Sequence, residues 1–176
     1  MRMKIAASFL VLLVFASISC GQQDKSKRPS PPAKADCTLT DGSTISVDYS
    51  SPRAKGRKIY GGVVPYGEVW RLGANEATTF VTSSDVKVGG TKVPAGSYTL
   101  YAVPNADKWT LVISKKTGQW GTPYPGAESD FARVDMTATK LPSPADNFTI
   151  SFDKSGGGCT LRADWENTRA SIAITK

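Results

Sequence analysis

Arg71, Asn75 and Glu76 place a guanidinium, an amide and a carboxylate within six positions, with Trp70 directly ahead of them and Tyr60 and Tyr66 upstream. Aromatic faces beside groups that form paired hydrogen bonds suit a sugar ring or another small polar ligand. The rings cover apolar surface, and the forked polar groups fix the orientation. Arg53, Arg57 and Lys58, with Lys55 among them, would add an anion-binding rim. A second aromatic stretch, Gln119-Trp120-Gly121-Thr122-Pro123-Tyr124-Pro125, offers Trp120 as a further wall if its loop closes over the first. The same residues also suit internal bracing, with Arg71 paired to Glu76 or Glu68, Asn75 satisfying loop backbone and Trp70 in the core. The residues alone leave both readings open.

Catalysis has less support. The chain has no histidine, which removes Ser-His-Asp and Cys-His arrangements and the usual proton carrier at neutral pH. A hydrolase working through two carboxylates would draw on Glu68, Glu76, Glu128 and Asp130, whose separation a sequence does not give. An oxygen-ligand metal site from Glu76, Glu128 and Asp130 lacks the spacing of a calcium loop. The expectation is therefore no catalytic residue, no metal and no cofactor, with enzymatic activity left open.

These residues sit in two long irregular stretches, Ser50 to Ala77 and Lys115 to Asp130, set among segments of period two. Alternation of apolar and polar residues marks half-buried strands. It runs through Thr44 to Tyr49, Thr78 to Ser83, Asp85 to Val88, Thr91 to Val93, Ser97 to Val103 and Trp109 to Ser114. Further on it returns in Phe131 to Thr139, Asn147 to Asp153, Thr160 to Glu166 and Ala170 to Thr175. Gly89-Gly90 predicts a tight hairpin turn. The pattern predicts an all-β domain, an antiparallel β-sandwich of about eight to ten strands, with the jelly roll as one form of it. Long loops on such a scaffold are where binding groups are commonly carried.

The N-terminus reads as an export signal. Arg2 and Lys4 precede an apolar run from Ile5 to Ile18, and Cys20 follows small residues. The run is shorter than the roughly 20 apolar residues that span a bilayer. Residues 1–19 are thus expected to be a lipoprotein signal peptide. Cys20 would be the lipidated residue, 20–36 a disordered Lys/Ser/Pro-rich tether, and 37–176 the folded domain. The location implied is the bacterial cell envelope, with lipid on Cys20 as the membrane contact and the outer membrane or periplasmic face favoured.

With Cys20 assigned to lipid, Cys37 and Cys159 remain as a pair in an oxidising compartment, and a disulfide between them is expected. The whole chain carries 22 basic and 15 acidic residues. Leader and tether together hold six of the basic and two of the acidic residues, so the domain is close to balanced. No nucleic-acid partner is expected from that distribution.

Ser51-Pro52-Arg53, Lys55-Gly56-Arg57, Ile59-Tyr60-Gly61-Gly62, Val64-Pro65-Tyr66-Gly67 and the run Val69-Trp70-Arg71-Leu72-Gly73-Ala74-Asn75-Glu76-Ala77-Thr78 form one continuous motif. Val93-Pro94-Ala95-Gly96-Ser97-Tyr98-Thr99-Leu100-Tyr101 and Gln119-Trp120-Gly121 accompany it. From about Thr38 onward the chain resembles a family of bacterial exported proteins, domain of unknown function 2911. Tyr60 stands where that family carries a tryptophan. The resemblance implies export but no activity, since the family's name records none. The functional expectation is non-enzymatic binding of a small polar or carbohydrate ligand. An envelope structural or protein-interaction module is the alternative, and a carboxylate hydrolase the weaker one.

Overall fold

The computed structural model describes residues 24–176; the leader and Cys20 lie outside them. A short 3-10 turn, Lys25–Lys27, leads into nine strands. These are β1 (Pro32–Thr38), β2 (Thr44–Ser50), β3 (Thr78–Thr82), β4 (Val86–Val88), β5 (Thr91–Val93), β6 (Gly96–Val103), β7 (Lys108–Ser114), β8 (Asp130–Ser155) and β9 (Gly158–Thr175). All pairings are antiparallel, in the order β1-β2-β3-β6-β7-β8-β9-β4-β5. The chain is all-β, as the alternation predicts, and the sheet does not close into a barrel. Among the described residues, no helix is long and apolar enough to cross a membrane.

The order is a meander interrupted once, where the β4–β5 hairpin is carried to the far side of β9. Gly89 and Gly90 turn that hairpin with φ of 54° and 85°, values that only glycine adopts without cost at both central positions.

The two longest strands give the sheet its second layer. β8 and β9 span 26 and 18 residues, and their pairing slips on either side of Ala145. Pro142 and Pro144 fall at this break. A proline removes a ladder donor, so it is tolerated where pairing is already interrupted. Sequence periodicity divides each of these strands in two; the structure joins the halves through this irregular corner. Beyond the corner the hairpin lies against β1 and β2. The Tyr49 ring meets Phe148 edge-on at 5.7 Å, the Tyr49 hydroxyl donates to the Ile150 carbonyl at 3.4 Å, and Cys37 and Cys159 stand at disulfide distance with Cα atoms 6.6 Å apart.

One core fills the fold. Ile45, Val47, Phe80, Leu100, Leu111, Ile113, Phe148 and Leu161 are all at most 2% exposed, the inward phase of each alternating strand. Residues 32–36, assigned by composition to a disordered tether, are instead the first part of β1, paired with β2 from Pro32↔Ser50 to Thr38↔Thr44. Ala33, Ala35 and Cys37 are its inward residues, too small to announce a strand by hydrophobicity.

Candidate functional site

The long segment between β2 and β3 is held at both ends by backbone bonds. Phe148 N–H donates to the Pro52 carbonyl at 2.8 Å and Ala54 N–H to the Asp146 carbonyl at 2.7 Å. The Lys55 N–H donates to the Asp146 carboxylate at 2.7 Å, and Ile59 N–H to the Glu166 carboxylate at 3.2 Å. The segment then returns to the sheet. Trp70 exchanges two backbone bonds with Ala102, at 2.7 and 2.8 Å, extending the row in which β3 pairs with β6.

After Trp70 the backbone bulges. Leu72, Gly73 and Asn75 have φ of 47°, 156° and 58°. The left-handed region disfavours Leu most, and such strain persists only where the surroundings hold it. The Thr78 hydroxyl does so by donating to the Leu72 carbonyl at 2.8 Å. A Cβ on Gly73 would lie 2.9 Å from that hydroxyl oxygen and 3.1 Å from the Ser50 carbonyl, so the bulge requires glycine.

Behind the bulge, Trp70 is part of an aromatic cluster. It stacks on Trp165 with ring centres 5.7 Å apart and planes 19° from parallel, and meets Phe148 edge-on at 5.1 Å and Trp109 at 6.2 Å. Trp70 is half-buried. It lines an open groove of about 300 Å³ together with Arg57, Val63, Arg71, Thr122 and Trp165, and Ser30 and Pro52 complete one side. That volume lies at the lower end of the range for small-molecule sites, about 300–1,000 Å³.

Arg71 crosses the groove wall. Its Nε donates to the Gly73 carbonyl at 3.4 Å and its Nη1 to the Thr122 hydroxyl at 3.3 Å. A Cβ on Gly121 would lie 2.6 Å from Arg71 Cδ, so the arginine stem rests on a residue with no side chain. Among the described residues Arg71 has no carboxylate partner. Pairing with Glu76 or Glu68, one of the bracing expectations, does not occur.

Asn75 and Glu76 face the N-terminal segment instead. The Asn75 amide donates to the Ser30 carbonyl at 2.9 Å. Glu76 accepts two bonds from Arg28 Nη1, at 2.9 and 3.0 Å, and pairs with Lys25 at 2.9 Å. Hydrogen bonds from Lys25 and then Arg28 hold its carboxyl down at about 2, against an ordinary 4.5. A smaller cavity of about 170 Å³ lies on this side, between Lys25, Asp48, Tyr49 and Glu76, where Lys25 is already paired with Glu76. The sequence thus places Arg71, Asn75 and Glu76 together, and the fold divides them: Arg71 faces the groove, and the other two strap the N-terminal segment down.

The remaining expected residues also separate. Tyr60 is 3% exposed and belongs to the core, edge-on to Trp109 at 4.8 Å, rather than forming a wall. Its hydroxyl has no partner among the described residues, and burial, followed by the charge of Glu166, raises its pKa well above the usual tyrosine value. Trp120 pairs by backbone with Glu76 and is 51% exposed, and it lines neither cavity. Arg57 joins the groove, whereas Lys58 is exposed on the same loop.

Trp165 was missed by sequence reasoning. Its alternation with Leu161 and Ala163 marks it as inward-facing, but the partner across the core is not written in β9. Of the carboxylates considered for hydrolysis or metal binding, Glu76 is held by Lys25 and Arg28. Asp130 accepts from the Tyr124 hydroxyl at 2.7 Å and from Arg133 at 2.8 Å. Among the described residues no group of three or more histidine, cysteine or acidic residues stands together.

The bulge at Leu72–Asn75, with Trp70 before it and Gly121 beneath Arg71, is built from the residues of the motif that carries the family resemblance. The family model for proteins of unknown function designated DUF2911 matches residues 30–174. The chain belongs to this family. The match begins at Ser30, so the DUF2911 unit includes all of β1 and the residue that Asn75 holds. No curated protein and no solved structure matches the chain.

Proposed function

We propose that this DUF2911 protein is a non-enzymatic binding module, anchored to the cell envelope by lipid on Cys20, that takes a small polar ligand of carbohydrate type in the groove beside Trp70. The observation that carries the reading is the stacked Trp70–Trp165 pair, 5.7 Å between centres, bordered by Arg57 and Arg71, neither of which is neutralised by a carboxylate. An indole face covers the apolar face of a sugar ring, and unpaired guanidinium N–H groups suit its hydroxyl oxygens.

A second reading, a structural or protein-interaction module, rests on a different observation. Asn75 and Glu76 act as braces for residues 25–30, and Val63, Tyr66 and Trp120 are 48%, 47% and 51% exposed. Apolar side chains left in solvent suit a protein partner.

Thermal unfolding of the purified protein against a library of sugars and organic acids separates the two, because a ligand of the native state raises stability by mass action. The binding reading expects an upward shift that disappears in a folded Arg71→Ala variant. No shift with any compound, or a shift unchanged in Arg71→Ala, rejects this groove as the site.

A further inference from the structure

A second depression of about 340 Å³ adjoins the Trp70 groove and is lined by Pro29, Ser30, Pro52, Arg53, Lys55 and Arg57. The two share Ser30, Pro52 and Arg57, so one small molecule can lie in both. We infer that the ligand carries an anionic group, a phosphate or carboxylate on its ring, seated on Arg53, Lys55 and Arg57 while the ring covers Trp70. This rests on the binding reading given above and adds to it the charge of the ligand.

The placement of the two guanidinium groups supports this. Arg53 Nη1 donates to the Ser51 carbonyl at 2.8 Å and to the Ser51 hydroxyl at 2.7 Å. Arg57 Nε donates to the Ala54 carbonyl at 2.9 Å, and its Nη2 to the Arg53 carbonyl at 2.7 Å. These neutral acceptors fix the orientation of both groups and leave their charge in place. Arg53 Nε and Nη2 and Arg57 Nη1 have no partner among the described residues. A guanidinium already ordered loses less entropy when it engages a phosphate or carboxylate fork.

The balance of charge is local. Ten ion pairs join described residues, and none includes Arg53, Lys55, Arg57 or Arg71. Two acids bonded to this loop, Asp146 and Glu166, accept from its backbone N–H groups and line neither depression. A neutral ligand would leave the three cations without an ion-pair partner among the described residues; an anionic one adds charge-assisted bonds, each stronger than its neutral counterpart.

The test is calorimetric titration of the full chain, purified in detergent, with a panel of neutral hexoses, their 6-phosphates and inorganic phosphate. The expected result is that a hexose phosphate binds at least about tenfold more tightly than either its parent hexose or phosphate alone, a difference of about 1.4 kcal/mol. Arg53→Gln, at a residue that lines the second depression but not the Trp70 groove, should remove that advantage while the neutral hexose binds as before. Lys55→Gln, at a side chain with no hydrogen bond or ion pair among the described residues, should reduce it without a change in unfolding temperature.

Inositol 1-phosphate compared with a soluble short-chain phosphatidylinositol identifies the source. Either order upholds the inference, with tighter binding of the lipid pointing to a headgroup and tighter binding of the free compound to a soluble phosphosugar. A neutral hexose that binds as tightly as its phosphate overturns the inference and leaves the groove reading standing. If no member of the panel binds, both fall.

Discussion

Arg71 lies across Gly121, so close that a Cβ at that glycine would come within 2.6 Å of Arg71 Cδ and 3.1 Å of Cβ. Gly121 N–H also donates to the Asn75 carbonyl at 3.0 Å. The second loop therefore sets the height of the groove wall. Gly121→Ala is expected to push the arginine stem outward, weakening binding in the Trp70 groove by about tenfold, and to lower stability as well, because the new Cβ also meets the Asn75 carbonyl at 3.1 Å. Titration beside thermal unfolding measures both. Unchanged affinity with a displaced Arg71 would remove the arginine from the site.

Glu76 is the fastening of the N-terminal segment. Its folded pKa is depressed to about 2 from 4.5, so its stabilising contribution is complete above the ordinary value and is lost as pH falls through about 2. The pairs are partly exposed, with 38% of the Glu76 side chain accessible, and salt weakens them. At neutral pH, Glu76→Gln should speed tryptic cleavage at Lys25 and Lys27 while the rest of the domain stays resistant. Equal cleavage rates would show that Asn75 and β1 hold the segment without it.

Tyr60 buries a hydroxyl with no partner among the described residues, and such a group costs about 1–3 kcal/mol relative to one that is satisfied. Tyr60→Phe removes the cost and keeps the ring against Trp70, Trp109 and Trp165. The variant is expected to be at least as stable as the parent in chemical denaturation. A loss above about 1 kcal/mol would mean that the hydroxyl has a partner, such as bound water.

Cys37 and Cys159 are 122 positions apart in sequence and join β1 to the start of β9. Closing so long a loop restricts the unfolded chain, which the chain-entropy model values at about 3–5 kcal/mol. Reduction, or paired substitution by serine, should lower denaturant stability by that order while circular dichroism remains that of a β protein. No change on reduction would contradict the bond.

Strand pattern was legible wherever large side chains alternate. β5 runs from Thr91 to Val93 as expected, and β2, β3, β4, β6 and β7 differ from expectation only at an end residue. β1 was hidden because Ala33 and Ala35 bury little surface and lie among lysine and proline. The continuity of β8 was hidden by Pro142 and Pro144, which signal a break but not that the strand resumes beyond it.

The site was half legible. Trp70, Arg71 and Arg57, which line the groove, were singled out from residue type. The division of Arg71 from Asn75 and Glu76 was not, because it depends on left-handed backbone at Leu72 and Asn75. Left-handed leucine has no sequence signature, although Gly73 beside it was a partial one. Tyr60 was read as a wall because an aromatic in a loop looks available, and only the packing shows it turned inward.

The most direct test of the groove follows the indole N–H signals of the four tryptophans in a nitrogen-resolved NMR titration of the protein with the saccharide and sugar phosphate panel. The account predicts that Trp70, with the Gly73 amide, shifts in a saturable way, that Trp165 behind it follows, and that exposed Trp120 does not. A saturable shift at Trp120 with Trp70 unmoved, or no shift at Trp70 with any compound, would contradict it.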